Sequence, residues 1–160
     1  MLKYLDEKEE HIRVIFLLMF HAGLRISEVA KVKNDDFKVI SNRLTINVNM
    51  AKGNKSRIAV VYDGKAAKVI LDYIKNNNTK YFAKISYRTI QYHARRIQEK
   101  LGIKFSAHVA RHTFASNLLH RNIRLDIIQD LLGHENIATT RIYAETLKED
   151  IINLADQIES

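Results

Sequence analysis

Apolar residues follow helical spacing near the N-terminus of this chain. A dense apolar run from Val14 to Phe20 predicts a buried helix that starts after a capping box of Asp6 and Glu9 and ends near Gly23. A second, short helix is predicted from Ile26 to Val32. The N-terminal part of the chain is therefore expected to be helical.

Three short segments that follow are predicted to be β-strands. They are Phe37–Ile40, Leu44–Val48 and Arg57–Tyr62. Ser41-Asn42-Arg43 joins the first pair, and a loop containing Gly53-Asn54 joins the second pair. Such short connections favour an antiparallel meander.

The rest of the chain is predicted to be helical. The predicted helices are Lys65–Lys75, Tyr87–Leu101, Ala107–His120, Leu125–Leu132 and Leu147–Ile158. Ser86 caps the start of one of them, and Gly102 and Gly133 each follow a helix end. We find no linker and no repeat, and therefore expect residues 1–160 to form a single domain, mainly α with a small three-stranded antiparallel sheet.

Composition narrows the class of protein. The 160 residues contain no cysteine, which excludes a disulfide scaffold, a thiolate nucleophile and a cysteine-ligated zinc site. The apolar run from Val14 to Phe20 is too short to cross a bilayer, and the acidic start at 6–10 is the wrong flank for a secretory signal. We therefore expect a cytoplasmic protein without a membrane segment.

The net charge of +8 is concentrated in the middle of the chain. Residues 51–121 contain 15 Lys/Arg against 3 Asp/Glu, a net charge of +12, whereas residues 1–50 carry +1 and residues 122–160 carry −5. Aromatic residues lie within the basic segment, namely Tyr81, Phe82, Tyr87, Tyr92 and Phe105. This mixture is typical of proteins that bind a sugar-phosphate polyanion, although a basic surface can also serve solubility alone.

Two stretches in the first part of the chain could carry chemistry. Arg25 and Glu28 follow a glycine at a helix junction and lie three positions apart, so they could share a helix face or form an ordinary surface ion pair. Lys52 and Lys55 flank the tip of the second hairpin, where a flexible ammonium group could reach a bound anion or simply be solvated.

Two further stretches lie in the second half of the chain. His108 and Arg111, also three positions apart, could point an imidazole and a guanidinium into one site. A zinc site on His108 and His112 is disfavoured because a metalloprotease needs a glutamate directly after the first histidine, where this chain has valine.

His134 follows the helix end at Gly133, and Tyr143 comes nine residues later, where a half-buried core tyrosine would be the ordinary interpretation.

Together these stretches resemble the tyrosine recombinases of the phage integrase family. The matching positions, in the order of the family's motifs, are Arg25 with Glu28, Lys52, His108 with Arg111, His134 and Tyr143. The resemblance extends over essentially the whole chain. The chain departs from the family pattern at Ala107 and Ala110, where the family often has proline and a large aliphatic residue.

The resemblance implies the tyrosine-recombinase catalytic-domain fold and a mechanism that needs neither metal nor cofactor. Arg25 and Arg111 would hold the non-bridging phosphate oxygens. Glu28 would have an orienting role and would not itself react. His134 would donate another hydrogen bond there, Lys52 would protonate the leaving 5′ oxygen, and His108 would serve as acid/base partner of the nucleophile. Tyr143 would be the nucleophile and would form a 3′-phosphotyrosine, which conserves the bond energy for religation without ATP. All of these roles are implied by the resemblance.

The same resemblance implies double-stranded DNA as substrate and a homotetramer on two synapsed duplexes, with a monomer as the free form. Lys55, Arg57, Arg88 and Arg95 are predicted to contact DNA, and the C-terminal segment 146–160 is predicted to pack in cis in the monomer and in trans on DNA. The family's N-terminal clamp domain is expected to be absent from residues 1–160. Two alternatives stay open, a type IB topoisomerase-like activity and a non-catalytic DNA-binding protein on the same fold.

Overall fold

The structure, a computed structural model, describes residues 9–49, 56–77 and 79–133. Its helices are α1 (Glu10–His21), α2 (Ile26–Val29), α3 (Gly64–Asn76), α4 (Tyr87–Leu101), α5 (Ala107–His120) and α6 (Leu125–Leu132). Its strands are β1 (Phe37–Ile40), β2 (Arg43–Asn49) and β3 (Ser56–Val60), and a short 3₁₀ helix covers Asn34–Asp36. Helices thus surround one small sheet, and the predicted fold class is confirmed.

Helix α1 is the centre of the main hydrophobic core. Six of its consecutive residues, 14–19, are buried, so the helix is covered on every side rather than along one stripe. Helices α3 and α5 pack against it. The predicted capping box of Asp6 and Glu9 lies partly outside the described residues, and α1 begins at Glu10.

The three strands form the predicted antiparallel meander in the order β1-β2-β3. Ser41 and Asn42 make a two-residue turn, both with positive φ, and Arg43 already pairs with Ile40 within the sheet. In the second pair, Val48 lies opposite Arg57 and Ile46 lies opposite Ala59. Strand β3 ends at Val60, two residues earlier than predicted. The backbone N–H of Tyr62 donates to the His21 carbonyl and not to a neighbouring strand.

Local capping sets most helix ends where the sequence predicts them. The side chains of Ser86 and Ser106 each accept a hydrogen bond from a backbone N–H in the first turn of α4 and α5. Glycines with left-handed backbone follow α4 and α6, at Gly102 and Gly133. Helix α2 is shorter than predicted, and the predicted C-terminal helix Leu147–Ile158 lies outside the described residues.

A second, smaller hydrophobic cluster lies between α5, α6 and the end of β3. Its buried members are Val60, Tyr62, Phe114, Leu118, Ile123, Ile128, Leu131 and Leu132. This cluster holds α6 against β3, and it thereby fixes the position of the C-terminal end of α6.

The aromatic residues of the basic segment divide between core and surface. Phe82 and Phe105 are buried and pack against other aromatic rings, so the expectation that they face a polyanion is wrong for these two. Tyr81, Tyr87 and Tyr92 are exposed.

Within the described part of the chain, none of the helices combines the length and apolar character that a membrane span requires.

Candidate active site

Arg25 and Glu28 form the first contact of the site. Arg25 is the residue that caps the start of α2, with extended backbone, rather than a residue within the helix. The Glu28 carboxylate accepts the Arg25 backbone N–H at 2.6 Å through Oε2 and the Arg25 side chain at 3.1 Å through Oε1. Arg25 and Glu28 are thus paired, and the geometry is that of a helix cap. Glu28, the third residue of α2, reaches back to the backbone N–H of the residue before the helix.

Arg57 of β3 binds the same carboxylate. Its Nη2 atom lies 2.8 Å from Glu28 Oε2, and its Nη1 atom donates to the Leu131 carbonyl at 2.7 Å. The Arg57 side chain is 9% exposed and that of Glu28 is 8% exposed, whereas that of Arg25 is 34% exposed. Arg57 therefore lies inside the site, and this position gives no support to the predicted DNA contact.

The family's second arginine motif reaches the site from α5. Arg111 donates through Nη1 to the Gly23 carbonyl at 2.6 Å and through Nη2 to the Leu132 carbonyl. Arg25 Nη2 donates to the Gly133 carbonyl at 3.0 Å. We refer to Arg25, Glu28, Arg57 and Arg111 as the arginine cluster.

Three successive carbonyls at the C-terminal end of α6 thus each accept a hydrogen bond from a different arginine of the cluster. Carbonyls in the last turn of a helix lack partners within the helix and carry the negative end of its dipole. They stabilise guanidinium groups that would otherwise repel each other. The end of α6 is consequently part of the site, although Leu131, Leu132 and Gly133 have no charged side chain.

Two glycines allow this close packing. A Cβ atom on Gly133 would lie 2.8 Å from Cδ of Arg57, and one on Gly23 would lie 2.6 Å from Cδ1 of Phe114. Both glycines also have positive φ, at 62° and 64°, which other residues rarely adopt. Gly133 therefore lets the end of α6 approach Arg57, and Gly23 lets the segment before α2 approach Phe114 of α5.

The cluster is positively charged overall. Its three guanidinium groups and single carboxylate give a net charge of +2. Burial, followed by the neighbouring Arg25 and Arg57, lowers the pKa of Arg111 to about 10, while Glu28 opposes the shift. Burial also lowers the pKa of Arg57, again opposed by Glu28. A pKa of about 10 keeps Arg111 charged at neutral pH, so the cluster is suited to an anion with several oxygens.

The remaining predicted site residues are placed differently. His108 lies one turn before Arg111 on α5, with an exposed ring in edge contact with His112 at a centroid distance of 4.9 Å. Arg88 and Arg95 lie on the exposed side of α4. Lys52, Lys55, His134 and Tyr143 lie outside the described residues. The described residues include no group of three histidine, aspartate or glutamate side chains placed to hold a metal ion.

The place of Arg57 in the cluster was not predicted from the sequence. The available signal was the hairpin register, because residues opposite each other on antiparallel strands share a face of the sheet. Val48, the partner of Arg57, is buried. A charged residue on that buried face requires a counter-charge, which Glu28 provides.

Comparison with known proteins places the chain in a family. The model of the phage integrase family matches residues 1–150. Tyrosine recombinase XerA of Thermococcus onnurineus is 32% identical over 150 residues, which covers 87% of this chain and 52% of that protein. The chain spans about half the length of the curated relatives it matches.

Solved structures share the fold. The crystal structure of XerA recombinase superposes with a TM-score of 0.73 at 25% identity, covering 96% of this chain and 61% of that one. XerH site-specific recombinase bound to palindromic difH substrate, a post-cleavage complex, gives 0.68 at 22% identity, covering 97% and 48%. With a family match over nearly its whole length and the two arginine motifs brought together in space, this chain belongs to the phage integrase family of tyrosine recombinases.

Proposed function

We propose that this chain is the catalytic part of a site-specific DNA recombinase that cleaves and rejoins DNA through a 3′-phosphotyrosine. The observation that carries the proposal is the meeting of Arg25 and Arg111 around the end of α6, with Glu28 bound to Arg25. Relatives with the same fold are named recombinases, and one was solved with its DNA substrate. Double-stranded DNA is therefore the substrate we propose.

The chemistry follows from what phosphodiester cleavage requires. Attack on phosphorus concentrates negative charge on the non-bridging oxygens, and preorganised cations lower the energy of that state. In our proposal Arg25 and Arg111 bind those oxygens. A guanidinium has more N–H donors than the two bonds each now makes to protein oxygens, so both can receive a phosphate.

The other steps are assigned to residues that match the family motifs. Tyr143 attacks phosphorus and forms a 3′-phosphotyrosine as the 5′ oxygen leaves. Lys52 donates the proton to that oxygen, His108 acts as acid/base partner of Tyr143, and His134 adds a hydrogen bond to the phosphate. A free 5′ hydroxyl then reverses the reaction and restores the phosphodiester, so no ATP is consumed.

The assembly is also part of the proposal. Residues 1–160 act as one catalytic domain, monomeric when free and tetrameric on two synapsed duplexes. The reaction takes place in the cytoplasm, where the DNA of a prokaryotic or phage element lies. Lys55, Arg88 and Arg95 contribute phosphate contacts outside the arginine cluster.

The test is capture of the covalent adduct on a nicked suicide substrate, in buffer with EDTA and without ATP. Wild-type protein should form an adduct that survives denaturing electrophoresis, and Tyr143→Phe should form none while binding DNA as well as wild type. Tyr73→Phe, which changes a buried tyrosine of α3, is the matched control and should form the adduct. An adduct with Tyr143→Phe would assign the nucleophile to another residue, and no adduct with wild-type protein would refute cleavage by this chain.

A further inference from the structure

Arg57 connects three parts of the site that the sequence keeps far apart. We propose that it is a positioning residue, which fixes the end of α6 and the base of the β2–β3 hairpin relative to Glu28 and the Arg25–Arg111 pair. The inference rests on the proposed function for its catalytic consequence. Its structural part concerns the free protein and can be tested separately.

Arg57 contacts the end of α6 in two ways. Its Nη1 atom donates to the Leu131 carbonyl at 2.7 Å. Its aliphatic part lies against the Gly133 backbone so closely that a Cβ there would be 2.8 Å from Arg57 Cδ. Gly133 is the residue directly before His134, which we propose donates a hydrogen bond to the phosphate. Arg57 therefore supports the helix end that precedes His134 in the chain.

Arg57 also occupies a position in the sheet near the proposed general acid along the chain. Arg57 pairs with Val48, one residue from the pair Asn49 and Ser56 that closes the described part of the hairpin. The segment between Asn49 and Ser56 carries Lys52 and Lys55. Arg57 therefore lies at the base of the hairpin that bears the proposed general acid.

The charge of Arg57 is used within the protein. Its side chain is 9% exposed, and its two terminal nitrogens bind Glu28 and Leu131. Because so little of its side chain is exposed, a phosphate would reach the Arg57 guanidinium only by displacing the groups packed around it, whereas the Arg25 side chain is 34% exposed. Arg57 should therefore act on the rate of cleavage and not on the affinity for DNA.

The experiment compares Arg57→Met and Arg57→Lys with Arg124→Met. Methionine keeps much of the side-chain volume without charge, and lysine keeps the charge but cannot place two donors in a fixed fork. Arg124 is the matched control because it is the residue directly before the same helix, α6, and its pair with Asp126 lies at the surface, with the Arg124 side chain 77% exposed.

We expect Arg57→Met to slow adduct formation at saturating DNA by about 10- to 100-fold, because a displaced catalytic group costs rate. Its DNA affinity and the salt dependence of that affinity should match those of wild type. Arg57→Lys should recover part of the rate, and Arg124→Met should behave as wild type. A wild-type rate in Arg57→Met at saturating DNA would overturn the proposal, as would a salt slope reduced by about one, the mark of a lost phosphate contact.

Hydrogen exchange of the free protein tests the structural part without DNA. Amides of residues 128–133 should exchange faster in Arg57→Lys than in wild type and Arg124→Met, and unchanged exchange would overturn the positioning role. If Arg57→Met does not fold, Arg57→Lys carries both measurements. If wild-type protein forms no adduct, the proposed function fails, while the exchange measurement still decides whether Arg57 positions α6.

Discussion

Helices α4 and α6 end in the same way but in different surroundings. Each is followed by a glycine with left-handed backbone, Gly102 with φ of 63° and Gly133 with φ of 62°. Around Gly102 an added Cβ would meet no atom within 4 Å, whereas at Gly133 it would meet Arg57. One glycine only ends a helix. The other ends a helix and also lets an arginine approach, so an identical local motif has an additional role where the tertiary structure builds a site.

The largest effect is expected from removing the Glu28 carboxylate, which balances the charge of Arg57 beside Gly133. Glu28→Gln leaves Arg57 buried without its counter-charge, and breaking a buried pair in this way costs about 3–5 kcal/mol of the free energy of unfolding. Asp126→Asn, which breaks the exposed pair with Arg124 at the other end of α6, should leave stability nearly unchanged. Urea unfolding of the two variants measures the difference. Equal losses would mean that Glu28 is not a structural centre of the cluster.

The next effect is expected from Gly133→Ala. The left-handed backbone costs alanine about 1–2 kcal/mol, and displacing Arg57 from Leu131 adds about 1 kcal/mol. Thermal or urea unfolding should therefore show a loss of about 2–3 kcal/mol, and adduct formation should slow as well. Retention of full cleavage activity would show that Arg57 can move aside without consequence for the site.

Gly102→Ala should have a smaller effect than Gly133→Ala. Only the backbone term of about 1–2 kcal/mol applies, because the added methyl group meets nothing. Cleavage at saturating DNA should equal that of wild type in the folded protein. A loss of stability as large as that of Gly133→Ala would remove the distinction between the two helix ends.

How far the sequence predicts this molecule depends on whether a feature is local. The bounds of α4, α5 and α6 were predicted correctly. Serine caps mark the starts of α4 and α5, and glycines mark the ends of α4 and α6, and both signals act within one turn of the helix. The pairing of Arg25 with Glu28 is local as well and was predicted, although the capping geometry was not.

The contacts of Arg57 and Arg111 could not be predicted in the same way. Arg111 binds carbonyls 88 and 21 residues away, and Arg57 binds partners 29 and 74 residues away. Such contacts depend on how α5, α6 and β3 pack together, and no short-range pattern encodes that packing. The buried positions of Phe82 and Phe105 were missed for a related reason, since a phenylalanine among lysines has the same local pattern whether it stacks on a base or fills the core.

The hydrogen bonds from Arg25 and Arg111 to backbone carbonyls also have an entropic consequence. A free arginine side chain loses about 2 kcal/mol of rotational freedom when it is held in one conformation. Here that freedom is already lost when the protein folds, because the carbonyls of Gly23, Leu132 and Gly133 hold the guanidinium groups in place. An anion that enters between the two arginines meets donors that are already oriented, so its binding energy is not spent on ordering them.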